Sequence, residues 1–424
     1  MTVVNGSKHP LRVAIIGGGP AGLAAAIELS KLPFVEWTLY EKKPEISETG
    51  GGISMQRNTW RMLEAMDVAK NISAKDFFRP YDGHYVQHRN ARTGILLSIQ
   101  YPPKDTPPHQ AHCRMLRAKL QNALLKGVDQ SRIRVSSRLV DIKEQPNGRL
   151  TLSFEDGLVD EVDLLVGADG IRSFVRQFAF PDHSIKYVGQ SAYRTIVKGS
   201  DVEEINGIPR GVIFWHNLNG KYVYTCPLGG DDFEVTARIR RPAEGQDQVS
   251  WGQECDFAKL LPEYEEFCPP LRQILGLASK SRTGEFALFA GPRLETVVSH
   301  GSIALIGDAS HPLSGAFGAG AGFAFEDVHA LTRALQWARS RDKPFTRALE
   351  LFDSIRSPHY KNLYDVISGF GESDKAIKEL GLPIDDEIAE RVQRTLDAGK
   401  NWMYFYKVED VVSEALRKAE EEAA

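Results

Sequence analysis

Six residues near the amino terminus, Gly17-Gly18-Gly19-Pro20-Ala21-Gly22, separate the apolar run Val13–Ile16 from a longer alanine-rich apolar run. The first run reads as a buried strand and the second as a helix, and VEWTLYE reads as the next strand. Strand, glycine turn, helix and strand form a βαβ unit, which commits the chain to a parallel sheet covered by helices. The glycines fit G-x-G-x-x-G. Gly17 permits the tight turn, Gly19 lets the backbone approach a pyrophosphate, and Gly22 lets helix and strand pack closely. Pro20 and Ala21 begin the helix, whose N-terminus faces the anion. Glu41 closes the second strand, 19 residues after Gly22, where a carboxylate accepts hydrogen bonds from ribose hydroxyls. The motif suits NAD and FAD alike.

Two later segments repeat the strand-then-turn pattern. In VDLLVGADGIRSFVR a buried strand ends at Asp169-Gly170, and a helix with Arg172, Ser173 and Arg176 follows. Asp169 there also suits a helix N-cap. In GDASHPLSGAFGAGAGFAFED, Gly307 and Asp308 stand at the carboxyl end of the buried strand Ile303–Ile306, the end at which open α/β sheets bind ligands. The segment holds five glycines in 21 residues, which permits φ > 0 or close backbone approach, or simply a corner. Gly318, Gly320, Ala321 and Gly322 precede an apolar helix expected over Phe323–Ala338. Backbone N–H groups at its start favour an electron-rich or anionic group.

Between the second and third motifs lies a β-rich, aromatic stretch, residues 185–240, that reads as an antiparallel sheet of a second domain. Asn147-Gly148 and Asn219-Gly220 mark hairpin turns. Residues Ala111–Lys126 have helical spacing, with Leu116, Leu120, Ala123 and Leu124 on one face, and Asp256–Leu277 also reads as helical. The acidic carboxyl-terminal segment reads as a surface helix that frays. A net charge of −4 provides no basic field for nucleic acid. No secretory signal is apparent, and no apolar run reaches the ~20 residues of a membrane helix. The four cysteines show no Cys-x-x-Cys spacing, which fits reduced thiols in a cytoplasmic protein without a metal site. A length of 424 residues fits two or three domains.

The three motifs in this order, with the β-rich insert, resemble the flavoprotein aromatic hydroxylases over roughly residues 10–370. These are single-component FAD monooxygenases, and the resemblance is closest to the salicylate hydroxylase-like members, which carry a run like Gly318–Gly322. It implies an α/β fold: a Rossmann-like FAD-binding domain (10–78, 109–180 and 284–370), an inserted β-sheet substrate domain (79–108 and 181–283) and a C-terminal helical segment (371–424). It implies FAD as cofactor, NADH or NADPH as electron donor, and hydroxylation of a small aromatic substrate by O₂ through a flavin hydroperoxide. The substrate would be a phenol or aromatic acid. A larger secondary-metabolite substrate and a flavin redox scaffold without oxygenase activity are the alternatives. The protein would act as a monomer or homodimer.

By matched position, Gly17, Gly19, Gly22 and Glu41 would hold the ADP half of FAD. Asp169-Gly170 would serve both FAD and the nicotinamide donor. Asp308 would bond the ribityl chain, and the Gly318–Gly322 helix start would face the flavin. Arg117, in Arg-x-x-Leu-x-x-Ala-Leu, would touch the cofactor or stand solvated on its helix. Gly50-Gly51-Gly52-Ile53 matches a glycine loop near the flavin. Arg194 matches a position that binds substrate phenolate or carboxylate in some members, and equally suits a strand surface. Tyr222 and Tyr224 share a strand face, so that one could orient a phenolic hydroxyl or both could serve sheet packing. His216 reads as a proton relay or a structural histidine. The chain departs from many relatives at Gly315, where they carry proline, and at Tyr222 and Cys226, where several carry histidine and tyrosine.

Overall fold

The computed structural model describes residues 9–48, 50–241, 251–313, 315–396 and 401–422. The βαβ unit forms as expected: strand Leu11–Ile16, helix Pro20–Leu29 and strand Val35–Tyr40. They build a six-stranded sheet in the order Val298–Ser299, Ile303–Leu305, Leu164–Gly167, Leu11–Ile16, Val35–Tyr40, Ile133–Arg134. All pairs are parallel except the edge strand Val298–Ser299. The register aligns Ile16 with both Tyr40 and Gly167, and Gly167 with Leu305. The glycine turn, Glu41, Asp169 and Gly307 therefore emerge side by side at one carboxyl edge. Helices Pro20–Leu29, Arg117–Leu125 and Gly320–Ser340 supply the main apolar core against this sheet.

An eight-stranded sheet forms the second layer, in the order Trp251–Cys255, Thr283–Ala290, Lys186–Lys198, Asp232–Arg240, Tyr222–Pro227, Ile213–His216, Val86–Asn90, Leu96–Gln100. Its strands alternate. Phe233, Val235, Ala237 and Ile239 bury one face against the 3₁₀ segment Phe257–Tyr264 and helix Pro269–Ala278. Glu234, Thr236 and Arg238 occupy the other face, where Glu234 meets Gly52 and Arg114 of the paired strands Gly52–Met55 and Cys113–Leu116. Strand Thr283–Ala290 lies wholly in this sheet, so a domain division at 283/284 would cut its first residue from the rest.

Four local expectations are corrected. Residues Cys113–Leu116 are a strand, paired with Gly52–Met55 and Phe77–Phe78, and the helix begins only at Arg117. Cys113 and Met115 alternate into the core, and strand pairing outweighs the leucine spacing that suggested a longer helix. Asp256–Leu277 is not one helix: Pro262 confines its first part to 3₁₀ turns, and Pro269-Pro270 start a separate helix. The helix expected from Phe323 begins at Gly320. The acidic terminal helix, Val408–Glu421, is docked: Val408, Val412 and Ala419 are buried in the main core beside helices Gly320–Ser340 and Phe345–Lys378. Among the described residues, no helix is long and apolar enough to cross a membrane.

Candidate functional site

The glycine turn is built as its spacing requires. Gly17 has φ +109°, and a Cβ there would lie 2.5 Å from the Ala168 carbonyl oxygen of the adjacent strand. A Cβ on Gly22 would lie 1.9 Å from the Gly17 carbonyl oxygen. A Cβ on Gly19 would meet no protein atom within 4 Å, so that side of the turn faces outward. Pro20 and Ala21 form the first helical turn. Glu41 Oε2 accepts the Gly18 N–H at 2.7 Å and Oε1 the Lys43 N–H at 2.9 Å, which fixes the carboxylate at the strand end. Gln121 supports the turn from below, donating to the Gly18 carbonyl at 3.2 Å.

Asp169 folds back as a cap. It accepts the Ser173 hydroxyl and the N–H groups of Phe174 at 2.7 Å and Val175 at 3.2 Å. Burial raises its pKa against the pull of those donors. Arg176 joins this turn to the third motif, donating to Ile171, to the Asp308 carbonyl at 3.2 Å and to the Ala309 carbonyl at 3.0 Å. The Asp308 side chain is exposed, with Oδ1 3.4 Å from a Cβ placed on Gly320. Gly307 has φ +60° and packs between Ala21 and Ala324, so the starts of two helices converge on it.

The glycines of the third motif divide by task. Gly318, at φ +61°, lies against Ser54, and Gly320 and Ala321 open the helix. Gly322 serves helix packing, since a Cβ there would lie 2.6 Å from Thr59 Oγ1. Gly315 has φ +70°, which proline cannot adopt, so the backbone here excludes the proline implied by the resemblance. Phe317 is held at φ +65°, with Tyr404 donating to its carbonyl at 2.8 Å.

Beneath this loop lies a buried charge cluster that sequence reasoning missed. Asp327 accepts the Gly307 N–H at 2.9 Å, Arg356 Nε at 2.8 Å and the Tyr360 hydroxyl. Arg356 also bonds Glu326 at 3.0 Å. Burial pushes the Glu326 carboxyl up to about 7, whereas burial is outweighed at Asp327 by Arg356, which lowers it. The only available signal was a Glu-Asp pair inside an apolar helix.

The second cluster lies where the two layers meet. Arg114 and Glu234 form a buried ion pair. Arg114 also donates to Ser54 Oγ at 2.9 Å and to Cys226 Sγ at 3.4 Å, and it lies over the Tyr224 ring. Glu234 Oε1 accepts the Gly52 N–H at 3.1 Å and the Thr236 hydroxyl at 3.2 Å. A Cβ on Gly52 would sit 2.5 Å from Arg114 Nη2, so the buried pair is a reason for glycine there. Arg117 stands at the same junction, paired with Glu48 at 3.1 Å and donating its N–H to the Gly51 carbonyl at 3.2 Å.

Arg194, Arg238, Tyr222, Phe214 and His216 share the inward face of the large sheet. Arg194 lies over Phe286, and burial lowers its pKa. Arg238 donates to the Tyr222 hydroxyl at 3.1 Å. Nε of both arginines is buried without a hydrogen-bond partner, and neither forms an ion pair among the described residues. Tyr224 is buried under Arg114, leaving Tyr222 the more open of the two tyrosines. His216 Nε2 contacts His88 Nδ1 at 2.8 Å, and burial lowers their pKa values to about 3 and about 4, so both are neutral near pH 7. Arg238, Glu234 and His88 were legible only as the polar side of alternating strands.

A family model described as FAD binding domain matches residues 10–365. A salicylate hydroxylase of Pseudomonas putida is 28% identical, over 98% of this chain and 96% of its own. A 3-amino-4-hydroxybenzoate 2-monooxygenase of Streptomyces platensis is 27% identical, over 84% of this chain and 87% of its own. A solved structure described as a salicylate hydroxylase substrate complex superposes with a TM-score of 0.78. It covers 96% of this chain and 98% of that one at 22% identity, a likeness of fold.

Proposed function

The chain belongs to the FAD binding domain family, and from that premise we propose that it is an FAD-dependent monooxygenase hydroxylating a small aromatic acid or phenol with NAD(P)H and O₂. Bound FAD supplies the redox chemistry that links NAD(P)H oxidation to oxygen transfer. The protein's part is to bind, orient and enclose. The Gly17–Gly22 turn and Glu41 take the ADP half, and Asp308 with the Gly318–Ala321 helix start takes the flavin half. The N–H groups there favour negative charge on the ring.

The observation that carries the substrate reading is the pair of guanidiniums, Arg194 and Arg238, that make no hydrogen bond or ion pair to a carboxylate among the described residues and stand on an aromatic face. Such a surface recognises a flat ring bearing an acidic group, with bidentate hydrogen bonds to carboxylate or phenolate. The Tyr222 hydroxyl accepts from Arg238, which leaves its own proton to donate to a substrate oxygen. The aromatic-acid names of two relatives support the same class. A cytoplasmic setting suits the four free thiols.

The test is NAD(P)H and O₂ consumption by purified holoenzyme against a panel of hydroxybenzoates, phenols and large neutral polycycles, with product analysis. Stimulation by the hydroxybenzoates with an oxygenated product is expected. Stimulation confined to large neutral compounds would overturn the substrate reading, and a flavin-loaded protein that transfers oxygen to none of them would overturn the monooxygenase.

A further inference from the structure

We propose that Glu234 is a positioning residue that couples the anion site at Arg194 to the glycine loop Gly50–Gly52 beside the flavin. The inference rests on the assignment of Arg194 as the substrate's anion partner.

Glu234 stands on a central strand of the large sheet, its side chain 3% exposed. It reaches across the layer junction in two directions. Oε1 holds the Gly52 N–H at 3.1 Å, and Oε2 pairs with Arg114, which in turn holds Ser54. The loop lies directly on this carboxylate. A Cβ on Gly51 would be 2.5 Å from Oε1, and one on Gly52 2.6 Å from Oε2. The loop backbone therefore cannot move toward the sheet, and a displaced carboxylate displaces the loop.

On its other side Glu234 faces Arg194. Register pairs Arg194 with Thr236 and Ile196 with Glu234, so Arg194 and Glu234 are diagonal neighbours on one face. Arg194 Cδ also lies 3.7 Å from a Cβ placed on Gly51. Arg194 has no hydrogen-bonded acid among the described residues, and Glu234 is the carboxylate whose charge favours its cationic form. One carboxylate thus serves two arginines, Arg114 by contact and Arg194 through space. An anion arriving at Arg194 takes over part of that charge balance. It leaves Glu234 more fully engaged with Arg114 and the Gly52 N–H, and the loop responds. Coupling of this kind is reciprocal: whatever orders the loop on flavin binding changes anion affinity by the same factor.

A double-mutant cycle on FAD affinity of the apoprotein, read by flavin fluorescence, tests the coupling. The proteins are wild type, Glu234→Gln, Arg194→Met and the double variant. Residues acting through one another are non-additive, here by a factor of about 3 to 100 in Kd. Additive effects within about twofold would overturn the proposal, and so would coupling that appears equally in the apoprotein's denaturation midpoints, which a purely structural Glu234 would give. Should Glu234→Gln fail to fold, Thr236→Val takes its place; it removes one hydrogen bond from Oε1 and leaves the ion pair. The same Arg194→Met protein separates the two readings. Unchanged kinetics on the hydroxybenzoate that the enzyme turns over would remove the anion-site assignment, while the cycle still decides the coupling to the loop.

Discussion

Arg194 and Arg238 are diagonal neighbours across two paired strands. Arg194 pairs with Thr236, and Arg238 follows two residues later on the same face. Each has a buried Nε without a hydrogen-bond partner, and each lies against an aromatic ring, Phe286 and Tyr222 respectively. Diagonal positions of this kind are about 7–8 Å apart, within the reach of two polar groups on one benzene ring. Two like charges at that spacing repel, and an anion between them relieves the repulsion.

Alanine at either arginine is therefore expected to weaken an aromatic acid. Hydrogen bonds to charged groups contribute about 1.5–3 kcal/mol, so KM for the acid should rise roughly tenfold to a hundredfold. A neutral phenol should be affected far less, and the bound-flavin spectrum should persist. Steady-state kinetics on an acid and its neutral analogue check this. Equal losses on both would show that the arginines act on structure rather than on charge.

The glycine turn allows stability and cofactor affinity to be separated at neighbouring positions. Gly22→Ala would drive a Cβ into the Gly17 carbonyl, an overpacking with a cost of about 1–3 kcal/mol. It should lower the apoprotein's melting temperature as well as its flavin content. Gly19 has an ordinary φ of −75°, and its Cβ position meets no protein atom. Gly19→Ala should leave apoprotein stability unchanged and weaken FAD, because the methyl group occupies the side from which the pyrophosphate approaches. Thermal denaturation of apoprotein beside flavin titration reads both effects. A Gly19→Ala protein with full flavin affinity would show that the pyrophosphate lies elsewhere.

The parallel sheet was legible because its determinants are local. Turn glycines, strand runs and the spacing to Glu41 lie within one βαβ unit, and the structure forms that unit as written. The junction cluster was not legible because its members are far apart in sequence. Arg114 and Glu234 are 120 residues apart, and nothing near either names the other. Arg114 was also concealed inside a segment with helical leucine spacing that tertiary pairing turned into a strand. Gly52 shows the limit of motif reading most directly. The family resemblance implies a glycine near the flavin, but its own neighbours show a need for glycine to make room for a buried ion pair. The fraying tail was misjudged for the opposite reason: its acidic composition describes one helix face, while Val408 and Val412 anchor the other.

Acid should destabilise the protein above the range in which ordinary carboxylates protonate. Burial depresses His112 and His216 to about 3, His88 and His329 to about 4, and His359 well below the ordinary imidazole range. The unfolded chain binds protons at these residues below about pH 6.5 while the folded chain does not, so stability falls as pH drops through that window. Glu326, raised to about 7, acts in the opposite direction between about pH 4.5 and 7. Five histidines outweigh one carboxylate. The expected loss is on the order of 5 kcal/mol between about pH 6 and 5. Denaturant titrations across this range measure it, and His112→Phe should flatten the slope. A stability that holds constant down to about pH 5 would show that these imidazoles find protonated partners in the fold.

The buried cluster under the third motif gives the sharpest stability prediction. Arg356 and Asp327 are fully enclosed, and Arg356 serves both Asp327 and Glu326. Removing one partner of a buried pair typically costs about 3–5 kcal/mol, because the remaining charge keeps its desolvation penalty. Arg356→Leu should therefore be severely destabilised, and it should hold flavin poorly, since Asp327 also fixes the Gly307 N–H. Neutralising the stranded acids in the same protein, with Asp327→Asn and Glu326→Gln, should recover part of the stability. Flavin affinity should return less, because an amide accepts the Gly307 N–H more weakly than a carboxylate. Denaturation midpoints and flavin titrations of the single and triple variants distinguish the two effects. A triple variant no more stable than Arg356→Leu would mean that the guanidinium contributes through packing rather than through charge.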